Sequence, residues 1–351
     1  MIVGFIVGMP LTIWEKQDET HLSDVGRKNE IGKYILMNKN QKKILKAVSP
    51  FIHPGFLNFK MMPYEAWKRN GGEVAKAHYP WQWLHGAAYR WELPTIWKSG
   101  KEARLRFVEP VSLKFDSFPD YARYEVVPMF WDCWPRYFEM TCEWLRKHQV
   151  KTGIFSSRMT AEKMQERFPE MRIIWCPEAV DGSVYQKGKM LKDRTIDLLE
   201  FGRSNEKVLQ TGELSLNHVC TKQNGKFIYT NEKLYQAMGD AKVTIALPRS
   251  MTQPEMAGDI ETLTQRYWEC MFSRMVMVGH APKELVDFIG YNPVIELRDD
   301  ISAEALIRDV VEHIDDYQEL VDKNREMAER LGSWDVRMKW LMEELTETYI
   351  C

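Results

Sequence analysis

The sequence lacks the patterns that mark a disulfide scaffold, a zinc site or a membrane span. In a chain of 351 residues with six cysteines and no Cys-x-x-Cys pair, we expect reduced thiols and a cytoplasmic protein. No stretch approaches the roughly 18–20 uninterrupted apolar residues of a membrane-spanning helix. The apolar opening Met1–Trp14 lacks the basic segment and the cleavage site of a signal peptide. The scattered cysteines are Cys133, Cys142, Cys176, Cys220, Cys270 and Cys351.

Strong net charge and several well-known catalytic motifs are also missing. The formal net charge of −2 does not suggest a net-basic nucleic-acid binder, so no nucleic-acid partner is expected. There is no Walker A loop, no Gly-x-Ser-x-Gly elbow and no His-Glu-x-x-His helix. Gly4-x3-Gly8 falls short of the dinucleotide fingerprint. We therefore expect neither a dehydrogenase cofactor nor a metal.

What the sequence does have is room for two domains, each with alternating strands and helices. Strand–helix alternation favours a parallel α/β layer. In the first half a strand at Ile2–Val7 ends in a turn that contains Gly8. The other elements predicted there are strands Tyr124–Trp131, Thr152–Ser156 and Arg172–Cys176, helix Trp134–His148, and helix Thr160–Phe168 with Thr160 as its N-cap.

The second half alternates more regularly, and the segment Pro177–Lys192 is a candidate hinge before it. Its predicted strands are Thr195–Phe201, Lys226–Tyr229, Val243–Leu247, Met275–Val278 and Pro293–Glu296. Its predicted helices are Glu232–Ala241 capped by Asn231, Glu261–Phe272, Lys283–Ile289, Ile301–Arg330 with room for one break, and Trp334–Tyr349 capped by Ser333. The pattern predicts two Rossmann-like halves.

The most informative feature is a pair of carboxylates, Glu261 and Glu269, eight positions apart in a predicted helix. That spacing would put both on about the same helical face, two turns apart. The helix follows a strand and a loop, so its N-terminus should lie at the sheet edge where ligands bind. The helix dipole with the hydroxyls of Thr262 and Thr264 would favour a diphosphate there. The alternative is a solvated helix with two unrelated glutamates.

Basic residues are expected at the same sheet edge. Gly202 directly follows the first strand of the second half, and a glycine lets the backbone approach a ligand closely. Arg203 and Lys207 could neutralise a diphosphate, and Arg249 follows a neighbouring strand. Taken singly, these are as easily surface cations near a helix start.

Residues from Arg203 to about Tyr349 resemble the donor domain of GT-B retaining glycosyltransferases of the group 1 or family 4 type, in particular the spore-maturation-like subgroup. The last helix resembles the C-terminal helix that in this fold crosses back to the first domain. The segments that carry the resemblance are Glu261-x7-Glu269, the run Leu263–Met271 followed by Met275–Pro282, Gly202-Arg203-x3-Lys207 and Pro177–Asp181.

The resemblance implies two Rossmann-like domains facing each other across a cleft. The expected limits are an acceptor domain at 1–185, a nucleotide-sugar donor domain at 186–333 and the returning helix at 334–351. It also implies catalytic roles for Glu261, Arg203 and Lys207, with Glu261 against the donor sugar and Glu269 on the ribose. The remaining residues implied in donor-nucleotide binding are Thr262, Thr264, Arg266, Arg249 and Gly202.

The implied reaction is metal-independent transfer of a sugar, with retention, from a nucleotide-diphosphate sugar to a glycan or lipid-linked glycan. No Asp-x-Asp motif of the metal-dependent glycosyltransferases is present. Such an enzyme needs no cofactor beyond its co-substrate and commonly serves polysaccharide biosynthesis. Two alternatives stay open: a transferase with a protein or nucleic-acid acceptor, and a non-catalytic protein that binds nucleotide sugar or glycan.

The acceptor side is harder to read. Asp132 ends a predicted strand of the first half and could bind a hydroxyl or cap the next helix; Gly8 holds the corresponding place after the first strand. Tryptophans between residues 64 and 97 could stack on a sugar or fill a core. The basic segment Arg27–Lys46 could dock an anionic membrane at its inner face or form a solvated helix.

Overall fold

The computed structural model describes residues 42–51, 59–76, 86–87, 90–94, 98–202, 215–223 and 226–351. The chain divides into two compact units. The first unit comprises the described residues of Met1–Cys133 together with Tyr137–Cys176 and Met338–Cys351. The second unit comprises Trp134–Arg136 and the described residues of Pro177–Arg337. The expected strand Ile2–Val7 lies outside the described residues.

The first unit contains a seven-stranded parallel sheet in the order β14-β1-β3-β4-β5-β6, with β2 also paired to β1. Its centre is apolar, and every residue of the fourth strand is buried. The strands are β1 Lys43–Val48, β2 Val74–Ala75, β3 Glu102–Val108, β4 Glu125–Phe130, β5 Thr152–Phe155, β6 Arg172–Trp175 and β14 Tyr349–Ile350.

The helices of this unit include one whose N-terminus is capped by a side chain. The Ser157 hydroxyl caps the fourth helix by accepting from the Thr160 amide at 3.4 Å. Ser157 therefore takes the capping role that we expected of Thr160. The helices of this unit are α1 Met61–Arg69, α2 Leu113–Asp116, α3 Pro135–Lys147 and α4 Arg158–Arg167, and the final α12 Trp334–Leu345 runs from the second unit into the first.

The second unit contains a five-stranded parallel sheet in the order β13-β12-β11-β7-β8 and a separate antiparallel pair, β9-β10. An apolar cluster on its face includes Val243 and Ile245 from the sheet and Leu306 and Val310 from a helix. The strands are β7 Ile196–Glu200, β8 His218–Cys220, β9 Lys222–Gln223, β10 Lys226–Phe227, β11 Ala241–Ala246, β12 Val276–Gly279 and β13 Val294–Glu296.

The helices of the second unit follow the predicted order but not all of the predicted limits. The expected helix Ile301–Arg330 is broken once, by a 3₁₀ turn at Ile314–Tyr317. Thr230, and not Asn231, caps the fifth helix. The helices are α5 Asn231–Asp240, α6 Arg249–Thr252, α7 Pro254–Ala257, α8 Gln265–Phe272, α9 Lys283–Ile289, α10 Ala303–Glu312 and α11 Gln318–Leu331.

Two further expectations are wrong. The strand expected at Lys226–Tyr229 is the short β10, which pairs with β9 and not with the parallel sheet. The last helix ends at Leu345, and Tyr349 lies in β14. Of the basic segment Arg27–Lys46, only Lys42–Lys46 lies within the described residues, and there Lys43 and Lys46 belong to β1 and pair with Glu125 at 2.7 Å and with Glu102 at 2.9 Å. Within the described part of the chain, no helix is long and apolar enough to cross a membrane.

Candidate functional site

Four parallel strands of the second unit bring a glycine and three polar residues to one edge of its sheet. Gly202 follows β7, Arg249 follows β11, His280 follows β12 and Glu296 ends β13. These strands are neighbours in the order β13-β12-β11-β7, so their carboxyl ends meet at the same edge. In open α/β sheets this edge is where ligands bind.

Gly202 and Arg266 are in direct contact at this edge. Gly202 has a left-handed φ of 75°, and a Cβ built on it would lie 1.7 Å from Nη2 of Arg266. The Arg266 guanidinium lies 4.3 Å from the ring centre of Phe201, and its Nη1 donates to the Ile245 carbonyl at 3.4 Å. A residue with a side chain at 202 would displace this cation from the end of the sheet.

The segment Ile260–Thr264 is not helical, which corrects the prediction that the helix begins at Glu261. Leu263 is fully buried, and Glu284 accepts a hydrogen bond from its amide. The burial of the Leu263 side chain and the hydrogen bond from its amide hold this segment in its non-helical conformation. Glu261 and Glu269 consequently do not share one helical face.

The predicted anion site at the helix N-terminus has different surroundings from those we expected. Thr264 is the N-cap residue of α8 but its side chain makes no capping hydrogen bond. The carboxylate of Glu178 accepts from the Gln265 amide at 3.3 Å, so an acidic group already lies at this end. The Thr262 side chain is buried, and its hydroxyl has no hydrogen-bond partner among the residues that the structure describes.

His280 lies between two carboxylates at the centre of the edge. Its Nε2 is 3.1 Å from Oε1 of Glu261, and its Nδ1 is 2.8 Å from Oε2 of Glu296. Gly279 makes this placement possible, because a Cβ there would lie 1.9 Å from the Ala246 carbonyl oxygen. Glu261 also accepts from the Lys283 amide at 3.4 Å. The site thus joins Glu261 to two residues that the sequence analysis did not select.

Glu269 is half-buried on α8 and is held by a tyrosine. The Tyr185 hydroxyl donates to Oε1 of Glu269 at 3.0 Å, and Tyr235 packs edge-on against Tyr185 at 5.2 Å between ring centres. Burial raises the pKa of Glu269, and Arg266 and the Tyr185 hydroxyl offset part of that rise. Burial, followed by the charge of Glu269, raises the pKa of Tyr185 as well.

Arg249 begins α6, beside the ring of Trp134. Its guanidinium lies 5.1 Å from the Trp134 ring centre, and its Nε donates to Oε1 of Gln253 at 2.9 Å. Both residues belong to the second unit. The cation therefore lies at the predicted strand end and is held by stacking and by one hydrogen bond.

Three predicted site residues lie outside the described part of the chain, and a fourth, Asp132, lies in the first unit. Arg203, Lys207 and Gly8 are outside the described residues. Asp132 follows β4 with a left-handed φ of 52° and is exposed. Burial raises the pKa of Glu109, and the charges of Asp116 and Asp132 add to this against Lys60. Asp132 is thus one of several carboxylates near the ends of β3 and β4.

The sequence carried a signal for the residues that were missed. His280 and Glu296 each stand at the end of a strand that was predicted, so the strand-end rule that selected Arg249 selects them too. Tyr185 and Glu178 have no such signal, because only the tertiary fold brings them to α8. Among the residues that the structure describes, no group of three or more His, Cys, Asp or Glu side chains could hold a metal ion.

Comparison with known proteins identifies the fold. No family model matches the sequence, and no curated protein matches it significantly. Among solved structures, "Anabaena Alr3699/HepE in complex with UDP and glucose" has a TM-score of 0.52 at 10% identity, over 87% of this chain and 100% of that one. The chain has the GT-B fold.

A second GT-B structure agrees with the first. The structure described as "Trehalose-6-phosphate from E. coli bound with UDP-2-fluoro glucose" has a TM-score of 0.51 at 8% identity, over 86% of this chain and 99% of that one. At such low identity the likeness establishes the GT-B fold and not the activity. The predicted fold class, two Rossmann-like α/β domains, is confirmed.

Proposed function

We propose that the protein is a glycosyltransferase that takes its sugar from a nucleotide-diphosphate sugar. The observation that carries this proposal is that the carboxyl edge of the second sheet holds both Arg266, against Gly202, and the linked side chains of Glu261, His280 and Glu296. Carboxylates suit sugar hydroxyls, and a guanidinium suits a diphosphate. The two GT-B structures that resemble the chain hold UDP with glucose and UDP-2-fluoro glucose, which favours a UDP-sugar.

In this proposal the charged residues bind different parts of the donor. Glu269 holds the ribose, Glu261 contacts the donor sugar, and Arg266 and Arg249 lie near the diphosphate. Arg203, Lys207, Thr262 and Thr264 are retained as proposed donor contacts from the sequence. Fixed positive charge would stabilise the leaving diphosphate without a metal, and transfer would retain the anomeric configuration.

The proposed acceptor is a glycan or lipid-linked glycan, as in polysaccharide biosynthesis, with Asp132 and Gly8 on the acceptor side. The enzyme would then work in the cytoplasm, with peripheral contact at the inner face of the membrane. Co-sedimentation with anionic vesicles at low salt tests that contact, and protein left entirely in the supernatant would argue against it.

One observation favours a second candidate, a protein that binds a nucleotide sugar without turning it over. Glu178 already contacts the N-terminus of α8, where the diphosphate was expected. A carboxylate there would repel a phosphate unless it moves or is protonated. Binding without release of nucleoside diphosphate would support this candidate over the transferase.

A thermal-shift screen with UDP-, GDP-, ADP- and CMP-linked sugars tests the proposal. We expect one base to raise the melting temperature, and that donor to be consumed slowly with release of its nucleotide. In calorimetry, Glu269→Ala should lower nucleotide affinity by at least about tenfold, since a charge-assisted hydrogen bond is lost. The exposed Glu319→Ala on α11 is the matched control. No shift with any donor at millimolar concentration would reject the proposal.

A further inference from the structure

His280 connects the candidate sugar contact Glu261 to a carboxylate on another strand. The carboxylate of Glu296 lies 2.8 Å from Nδ1 of the imidazole, and the carboxylate of Glu261 lies 3.1 Å from its Nε2. The three side chains are about one-third exposed, at 35%, 30% and 38% for His280, Glu261 and Glu296. They form a continuous chain of contacts that a ligand at the sheet edge can reach.

The backbone of His280 is fixed on both sides. Its amide donates to the Ala246 carbonyl at 2.9 Å, and its carbonyl accepts from the Tyr267 hydroxyl at 2.7 Å. The preceding Gly279 lies against the end of β11 and leaves no space for a side chain. The backbone position of His280 is therefore fixed, and the two carboxylate contacts set the orientation of its ring.

Glu296 is the anchored end of this chain of contacts. One of its oxygens accepts from the Ala281 amide at 3.0 Å and from the Asn292 side-chain amide at 2.8 Å, and the other faces His280. Glu261 lies at the opposite end, on the non-helical segment before α8. This order, a hydrogen-bonded carboxylate orienting a histidine whose other nitrogen meets a functional group, is the way histidines are oriented in catalytic sites.

Both neighbours of the ring are acceptors, so each of the two contacts needs an N–H of the ring. The charged imidazole donates from both nitrogens, whereas the neutral ring has one N–H and leaves one carboxylate facing a lone pair. Other titratable groups nearby are turned elsewhere. The Lys283 ammonium lies 3.7 Å from Asp287, Glu284 accepts from the Leu263 amide, and the Tyr267 hydroxyl is bonded to the backbone.

We infer that His280 is a positioning residue that transmits the orientation of Glu296 to Glu261 and holds Glu261 for the donor sugar. This inference rests on the proposed function, because it assigns His280 and Glu296 to the part of that site that contacts the donor sugar. It predicts that His280 affects recognition of the sugar and leaves recognition of the nucleotide to Glu269.

Calorimetry with UDP-glucose and with UDP separates these two parts. We expect His280→Asn to lower UDP-glucose affinity by about tenfold and to change UDP affinity by less than about twofold. His280→Gln should lose less than His280→Asn, because its longer side chain places an amide near Nε2 and can still reach Glu261. His313→Gln, an exposed histidine beside Asp309 at the end of α10, is the matched control.

The partial recovery of UDP-glucose affinity in His280→Gln, relative to His280→Asn, supplies a readout that a merely structural role would not move. Melting temperatures identify any variant that fails to fold, and Glu296→Gln then serves in its place, because it weakens the anchor and leaves the imidazole present.

Three results would overturn the inference. Equal losses for UDP-glucose and UDP would make His280 a general support of the site. Wild-type behaviour of both His280 variants would remove its link to the sugar. A wild-type protein that binds neither probe would reject the proposed function for this donor, and the inference with it; in the first two results the proposed function stands.

Discussion

At the scale of single residues, Glu269 is a carboxyl group of the candidate site whose pKa is raised by burial. It is half-buried, and the hydroxyl of Tyr185 lies 3.0 Å from one of its oxygens. Burial raises its pKa despite Arg266 nearby, so the folded protein binds a proton at Glu269 more tightly than the unfolded chain does. A group held at such a cost is typical of a functional position.

Glu269→Gln should therefore stabilise the protein at neutral pH and weaken its nucleotide binding at the same time. Because the folded-state pKa is raised, the glutamate is neutral in both states below its ordinary value of 4.5 and opposes folding increasingly as the pH rises above that. The glutamine keeps an acceptor for Tyr185 but carries no charge. We expect a higher melting temperature at pH 7 and a smaller difference near pH 4.

Glu319→Gln is the control for this measurement, since Glu319 is exposed on a helix of the same unit. It should leave the melting temperature nearly unchanged at both values of pH. If Glu269→Gln lowered the melting temperature at pH 7, the buried carboxylate would be a net stabilising group, and the argument from its pKa would be wrong.

At the scale of elements, the segment before α8 shows why strand ends were easier to predict than helix starts. Apolar runs set the parallel strands of the second sheet, and helix Lys283–Ile289 agrees with its prediction at both ends. The start of α8 was predicted four residues early, because nothing local reveals that Glu284 holds the Leu263 amide. Helix boundaries depend on such distant partners.

Two of the strands that the sequence did not predict, β1 and β3, contain several charged residues. β3 alternates Arg104 and Arg106 with apolar residues, yet both arginines are buried. Arg106 contacts Asp120, and the Arg104 guanidinium stacks 3.8 Å from the Tyr124 ring centre. Charges on a pattern of this kind predict a solvated face unless their partners are known. The candidate site follows the same rule: strand-end positions were predictable, but the partners Tyr185 and Glu178 were not.

Thr262→Val tests the buried part of the segment before α8 as an element. Within the described part of the chain the buried Thr262 hydroxyl has no hydrogen-bond partner, which costs free energy of folding that the isosteric valine avoids. We expect denaturant unfolding to show a gain of about 1 kcal/mol. Thr244→Val is the matched control: its hydroxyl donates to the Leu199 carbonyl at 2.8 Å, so this variant should lose about 1 kcal/mol.

A destabilised Thr262→Val would show that the hydroxyl has a partner in solution. A loss of nucleotide affinity in the same variant, with stability unchanged, would instead place Thr262 in the donor site, as the sequence suggested. The two readouts thus separate a packing role from a binding role for one residue of the predicted set.

At the scale of the whole molecule, the first sheet is completed by the far end of the chain. β14 pairs in parallel with β1, with Tyr349 opposite Lys43. The buried Tyr349 hydroxyl donates to Glu125 at 2.6 Å and lies 3.0 Å from the Thr152 hydroxyl. Burial raises the pKa of Glu125, but hydrogen bonds from Lys43 and Tyr349 outweigh it and leave the pKa lowered. Residues some 300 positions apart therefore stabilise one unit.

Tyr349→Ala should consequently destabilise the first unit and spare the second. Removing a buried aromatic side chain costs about 3–5 kcal/mol, and here Glu125 also loses a donor. Hydrogen exchange read peptide by peptide is the suitable measurement, because a protein of two units need not unfold in one step. We expect faster exchange in β1, β3 and β4 and unchanged exchange in β11 and β12. Ile350→Ala is the control, since Ile350 is 46% exposed in the same strand. Equal acceleration in both sheets would mean that the two units share their stability, and none in either would mean that β14 contributes little to the first sheet.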